Sequence, residues 1–274
     1  MFYWVVKAVL APILAGIENA DPLLVPELAM ALEALAGKLS AEQAHDALGS
    51  VLDAIEGNSG DRPEALAETG KTLAGRLDAA QAQAVLGPVL DAIENTTDSY
   101  QLLALAETMQ AVPVRLDARQ MEAALGPVLH AINNETDRWA LRSLAGATKA
   151  LAGKLDAAQA QATLEIASRG LAWAQTSNEA ASWAGSLVAL LPRDKPEICV
   201  AEIVETLKYP TSAGPATDVL LDALHGIDPN APGKGAGLAA NLDWLRQAYP
   251  TVSLNAAPAC PEPPPNRGLS CPQA

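Results

Sequence analysis

The stretch that decides the fold reads Leu73-Ala-Gly-Arg-Leu77, then Asp78-Ala-Ala-Gln81, then Gly87-Pro-Val-Leu90. Its first piece returns as Leu35-Ala-Gly-Lys-Leu39, Val112-Pro-Val-Arg-Leu116 and Leu151-Ala-Gly-Lys-Leu155, with a degenerate copy at Leu190-Leu-Pro-Arg-Asp194. The spacings are 38, 39, 39 and 39 residues. Its last piece keeps the same period as Ala11-Pro-Ile-Leu14, Gly49-Ser-Val-Leu52 and Gly126-Pro-Val-Leu129. Two anchors held in register over most of the chain mark an internal repeat, the signature of an array of stacked units.

Each unit reads as two helices. The first opens on a capping box: Ser40 with Gln43, Asp78 with Gln81, Asp117 with Gln120, Asp156 with Gln159. In such a box the cap side chain accepts from an otherwise unpaired first-turn N–H, and the Gln reaches back to the cap's own N–H. Apolar residues then recur as Leu48, Leu52, Ile55, as Leu86, Leu90, Ile93, and as Leu125, Leu129, Ile132. Steps of four and three keep them on one helical face. The second helix is expected to start at Asp21, Asp61, Asp98 and Asp137, with Pro22 in a first-turn position and boxes at Asp61/Glu64 and Asp98/Gln101.

Along the second helix one column holds Leu28, Leu66, Leu105, Leu144 and Trp183, and the next holds Ala29, Ala67, Ala106, Ala145 and Ala184. Five alanines in one column predict a close approach by a neighbouring helix. Leu35, Leu73, Val112, Leu151 and Leu190 complete the stripe, while Met30, Glu68, Glu107 and Gly146 read as an exposed column. Pro12, Pro88 and Pro127 stand inside the first helix, where a proline removes a hydrogen bond. Their recurrence at one phase predicts a tolerated kink.

With its 38–39-residue period, paired helices and proline in the first helix, the chain resembles the HEAT and armadillo family of α-solenoids. It is closer to HEAT, since no third short helix fits within a unit. The resemblance implies an all-α superhelix of stacked antiparallel helix pairs, with second helices lining a concave face. It implies little about function, because folds of this kind serve unrelated partners. The expected organisation is one domain over residues 1–250, with regular repeats to about 194 and divergent capping helices over 195–250. A Pro-rich tail, residues 251–274, is expected to be disordered.

Composition agrees with a helical reading. Half of the 274 residues are hydrophobic but only 4% are aromatic, so Ala and Leu dominate and a β-sandwich or barrel is disfavoured. Thirty-two acidic residues against eighteen basic ones give a net charge of −14, which disfavours nucleic-acid binding. Three cysteines, Cys199 in a helical segment and Cys260 and Cys271 in the tail, form no disulfide framework. The apolar start of the chain is interrupted by Lys7 and lacks a basic leader, so neither export nor a membrane span is expected and the cytoplasm is the default.

The ends depart from the pattern. Phe2, Tyr3 and Trp4 replace a polar first turn, and are read as covering the open end of the stack or as a docking surface for another domain. Asp194 with Glu197 is expected to open a helix running to about Lys208, followed by helices near 216–225 and 238–248.

No catalytic constellation emerges. His45, His130 and His225 have no Cys or carboxylate at metal-ligand spacing and no nucleophile elbow, so neither a metal nor a cofactor is expected. Gly233-Lys-Gly-Ala-Gly237 lacks the Gly-Lys-Ser/Thr ending of a phosphate loop and reads as a loop leading into a helix.

Charge by repeat is more informative. Residues 40–77 hold seven acids and three bases, 78–116 five and one, and 117–155 four and five, the only net-positive unit. There Arg138, Arg142 and Lys149 form one stripe on the second helix, with Trp139 beside it. Arg and Trp are enriched at binding hot spots. The expected function is a non-enzymatic repeat scaffold binding a protein or peptide, acidic where it meets this stripe. Two alternatives are a regulatory module of a larger bacterial-type multidomain protein and a HEAT-like enzyme of nucleic-acid repair or lyase type.

Overall fold

A computed structural model describes residues 2–19, 24–57, 63–135, 137–192, 195–208 and 214–250. Among these residues the fold is all-α: thirteen helices and one 3-10 turn, without a strand. No helix among them is long and apolar enough to cross a membrane. The chain divides into two compact units, residues 1–132 and 133–274. Asp21, Pro22, Asp61, Asp194 and the tail with Cys260 and Cys271 lie outside the described residues, as do the side chains of Phe2, Tyr3 and Trp4.

The first unit contains α1 (Phe2–Asn19), α2 (Val25–Ala36), α3 (Ala41–Gly57), α4 (Pro63–Ala74), α5 (Ala79–Asn95), α6 (Ser99–Ala111) and most of α7 (Ala118–Asn134). Here α2, α4 and α6 pack side by side in one row, and α1, α3 and α5 form a second row against them. The second unit contains α8 (Arg138–Ala152), α9 (Ala157–Ala172), α10 (Ser177–Leu190), α11 (Pro196–Leu207), α12 (Pro215–Ile227) and α13 (Gly237–Ala248). In it α8, α10 and α12 pack in sequence, with α9 against α10 and α11 against α12.

All four first-helix capping boxes close reciprocally. Gln81 N donates to Asp78 Oδ1 at 2.9 Å while Asp78 N donates to Gln81 Oε1 at 3.1 Å. The pairs at Ser40, Asp117 and Asp156 do the same at 2.8–3.2 Å. Second-helix starts are more varied. Asp98 caps α6, accepting from Tyr100 N and Gln101 N, but the expected box is only half made. Gln101 is buried and turns instead to the Glu56 carbonyl of α3 and to the Thr96 hydroxyl, and Thr96 Oγ1 takes the Asp98 N–H. Helix α2 begins at Val25 rather than beside Asp21, because Pro26 fits the first turn and Leu24 serves as cap without a side-chain bond. Helix α11 likewise starts at Pro196 on an uncapped Lys195, one residue past the expected Asp194.

The alanine column behaves as its composition demands. Ala29, Ala67, Ala106, Ala145 and Ala184 are all buried. Thr69 Oγ1 of α4 donates across to the Ala29 carbonyl of α2 at 3.1 Å, sharing its proton with Ala65 O at 2.8 Å. Ser186 Oγ of α10 reaches the Ala145 carbonyl of α8 at 2.6 Å. A hydroxyl bonds a neighbouring helix backbone only where no longer side chain holds the helices apart. The leucine columns are buried except Leu28, Leu35 and Leu129, which are half-buried. In the column expected to be exposed, Met30 and Glu68 are, while Glu107 and Gly146 are half-buried.

Helices α1, α5 and α7 run through Pro12, Pro88 and Pro127 without interruption. Pro88 and Ala84, whose carbonyl it leaves without an N–H donor, are both exposed, so water meets that carbonyl.

Candidate functional site

The basic stripe is built on α8. Asp137 caps this helix, its side chain accepting from Trp139 N at 2.8 Å and Ala140 N at 3.0 Å, while Glu135 accepts the Asp137 N–H at 2.7 Å. An acidic cap suits the positive end of the helix dipole and fixes the turn from which Trp139 projects. The indole is 50% exposed, an unusual setting for the largest apolar side chain. Arg142 follows one turn on and Lys149 two turns further, both exposed. Neither joins an ion pair among the described residues. The Lys149 stem lies over α10, where a Cβ placed on Gly185 would sit 3.9 Å from its Cδ and Nζ. The side chain of Arg138 lies outside the described residues.

The equivalent face in the first unit is chemically different. There Lys71 is held by Glu68 at 2.9 Å, and that hydrogen bond, with the fields of Glu68 and Glu107, keeps its ammonium above the ordinary lysine range. A lysine neutralised within its own helix offers little to an anion. Trp139, Arg142 and Lys149 are thus exposed together on α8, and the two cations join no ion pair among the described residues.

A second feature escaped the sequence. Glu165, Ser168 and Arg169 of α9 face Glu202, Glu205 and Thr206 of α11 across a cleft of about 490 Å³. Burial, with the neighbouring charges of Glu205 and Glu165, pushes the Glu202 carboxyl above its ordinary value. Lys208 pairs with Glu205 at 2.5 Å. The three acids come from helices about 40 residues apart and share no local motif, so only their packing assembles them. No group of three or more His, Cys, Asp or Glu among the described residues is arranged to hold a metal ion.

Of the remaining candidates, Cys199 and His225 are bonded within the fold. Cys199 is buried and its thiol donates to the Pro192 carbonyl at 3.1 Å. His225 Nδ1 meets the Ala231 carbonyl at 2.7 Å, His130 is exposed, and His45 is half-buried. The Gly233–Gly237 segment is a helix lead-in: Gly233 and Gly237 adopt φ of +73° and +77°, the left-handed region that favours glycine. Its amide is consumed by the protein, because Gly233 N donates to the buried Asn241 Oδ1 at 3.0 Å, and Lys234 is paired with Asp222 at 2.6 Å. The Ala236 and Gly237 amides are likewise bonded within the loop, to the Gly233 and Lys234 carbonyls.

No protein family, curated protein or solved structure matches the chain.

Proposed function

We propose that this protein is a non-enzymatic binding scaffold, a HEAT-like α-solenoid of about five helix pairs that holds an acidic protein or peptide segment against α8, in the cytoplasm. What supports this reading is one observation: Arg142 and Lys149 are exposed and join no ion pair among the described residues, beside an exposed Trp139, in a chain of net charge −14. An acidic segment is drawn to this face and repelled by acidic surface elsewhere, so charge sets its position as well as its encounter rate. The indole adds a broad apolar contact of the kind that dominates hot spots.

The test is affinity capture with the full chain and with Arg142→Glu, followed by titration of the captured partner. Binding weakened about tenfold or more, with a flatter salt dependence and an unchanged helical signal, is the expected result. Unchanged affinity for the reversed variant overturns the reading.

A further inference from the structure

One helix of this same chain carries the complement of the α8 face. On α3 the residues Glu42, Asp46, Gly49, Asp53 and Glu56 all lie on the exposed side. None of the four acids joins an ion pair among the described residues. Asp46 and Asp53 are seven residues apart, with Gly49 three from the first and four from the second. On α8, Lys149 and Arg142 are also seven apart, with Gly146 three from the lysine and four from the arginine. Seven residues span about 10.5 Å along a helix.

We propose that the α8 face binds α3 of a second copy of this chain, the two helices running antiparallel. This rests on α8 being a binding face. In that register Asp46 meets Lys149, Asp53 meets Arg142, and Gly49 meets Gly146, so both ion pairs form in one alignment. A Cβ on Gly49 would have open space around it, which leaves this point of α3 free for a close helix crossing. One turn beyond Asp53, Glu56 comes level with Trp139.

The match is specific to α3. At the same phases α5 carries Ala84, Gly87 and Asp91, and α7 carries Ala123, Gly126 and His130. Only α3 has a carboxylate at both ends of the glycine. It also has Ser50 where α5 and α7 have Pro88 and Pro127. Two such contacts close a two-fold dimer, and one per chain propagates into a ring or a filament.

Salt has a distinctive effect on such a contact. Two chains of net charge −14 repel at long range in dilute salt, whereas screening over about 8 Å at physiological ionic strength removes most of that repulsion and spares pairs in contact. At 1 M the screening length falls to about 3 Å and the pairs themselves weaken. Association is therefore strongest at intermediate salt.

The experiment is sedimentation velocity on the full chain, from micromolar to several hundred micromolar, at low, physiological and 1 M salt. Three samples are compared: wild type, Arg142→Glu/Lys149→Glu, and Asp46→Lys/Asp53→Arg. Wild type self-associates most at physiological salt, and each variant alone is weakened about tenfold or more while keeping its helical circular dichroism. Mixing the two variants restores association, because each then meets an opposite charge. A wild type that stays monomeric throughout, or variants that associate as wild type does, overturns the self-contact. If the wild type is monomeric and Arg142→Glu still abolishes partner capture, the self-contact fails and the binding face stands. If capture also survives the substitution, both fail.

Discussion

Gly170 and Trp183 give the sharpest test of the packing. Trp183 of α10 is 1% exposed and stands in the column that is leucine in four other repeats. A Cβ on Gly170 of α9 would lie 2.5 Å from its Cε2 and 2.8 Å from its Cε3, so the ring occupies the space a side chain would take. At the Gly170 phase other repeats carry Ala54, Ala92 and Ala131, and at the Trp183 phase Leu66, Leu105 and Leu144, while Gly16 with Leu28 departs from this pairing. Gly170→Ala gains about 1 kcal/mol of helix propensity but overpacks against a ring with no room to move, at about 1–3 kcal/mol. We expect a net loss of up to about 2 kcal/mol. Trp183→Leu leaves a cavity, and large-to-small core changes cost about 2–5 kcal/mol. The indole N–H is buried with no hydrogen-bond partner among the described residues, and removing it returns about 1–3 kcal/mol. The net expectation is a loss of about 1–3 kcal/mol. The double variant restores an Ala/Leu pairing and should lie within about 1 kcal/mol of wild type, a coupling of the size seen between residues in contact. Urea titrations followed by far-ultraviolet circular dichroism measure all four proteins. Additive losses in the double variant would refute the idea that the two residues share one space.

Three further expectations follow from other parts of the fold. Asn241→Ala removes bonds to Gly233 N, Gly233 O and Gly237 O at 2.7–3.0 Å and orphans buried backbone groups, so it should cost about 2–4 kcal/mol in thermal or urea unfolding and free the α13 amides to hydrogen exchange. Thr69→Val keeps the shape but loses the bond to the Ala29 carbonyl, and should cost about 1 kcal/mol, within the range where the Ala column tolerates a methyl. Burial raises the Glu202 carboxyl in the folded state, so folded protein holds this proton more tightly than unfolded protein and stability falls as pH rises through the carboxylate range. Glu202→Gln should then melt higher than wild type near pH 7, with the gap closing as pH drops below the ordinary glutamate value; a gap that widens on acidification would contradict it.

Whatever closes within about four residues or recurs with the period can be read from the chain alone. The four first-helix boxes are legible because cap and Gln sit three positions apart, and their hydrogen bonds need only the helix they start. The apolar faces are legible because helical spacing alone puts Leu48, Leu52 and Ile55 on one side, and all three are buried. The basic stripe on α8 was legible as a charge pattern for the same reason.

Packing between distant segments settles which chemically equivalent residues are already occupied. Asp98 and Asp156 both stand three residues before a Gln, yet Gln101 is drawn off to α3 and Gln159 completes its box. Nothing in the three-residue spacing separates these two, because a long polar side chain takes the partner that packing brings within about 3 Å, and Glu56 lies 45 residues from Gln101. The same holds for Trp183 and Gly170, for the three glutamates gathered between α9 and α11, and for Asn241 under its glycine loop, where the deciding neighbour exists only once the helices have packed.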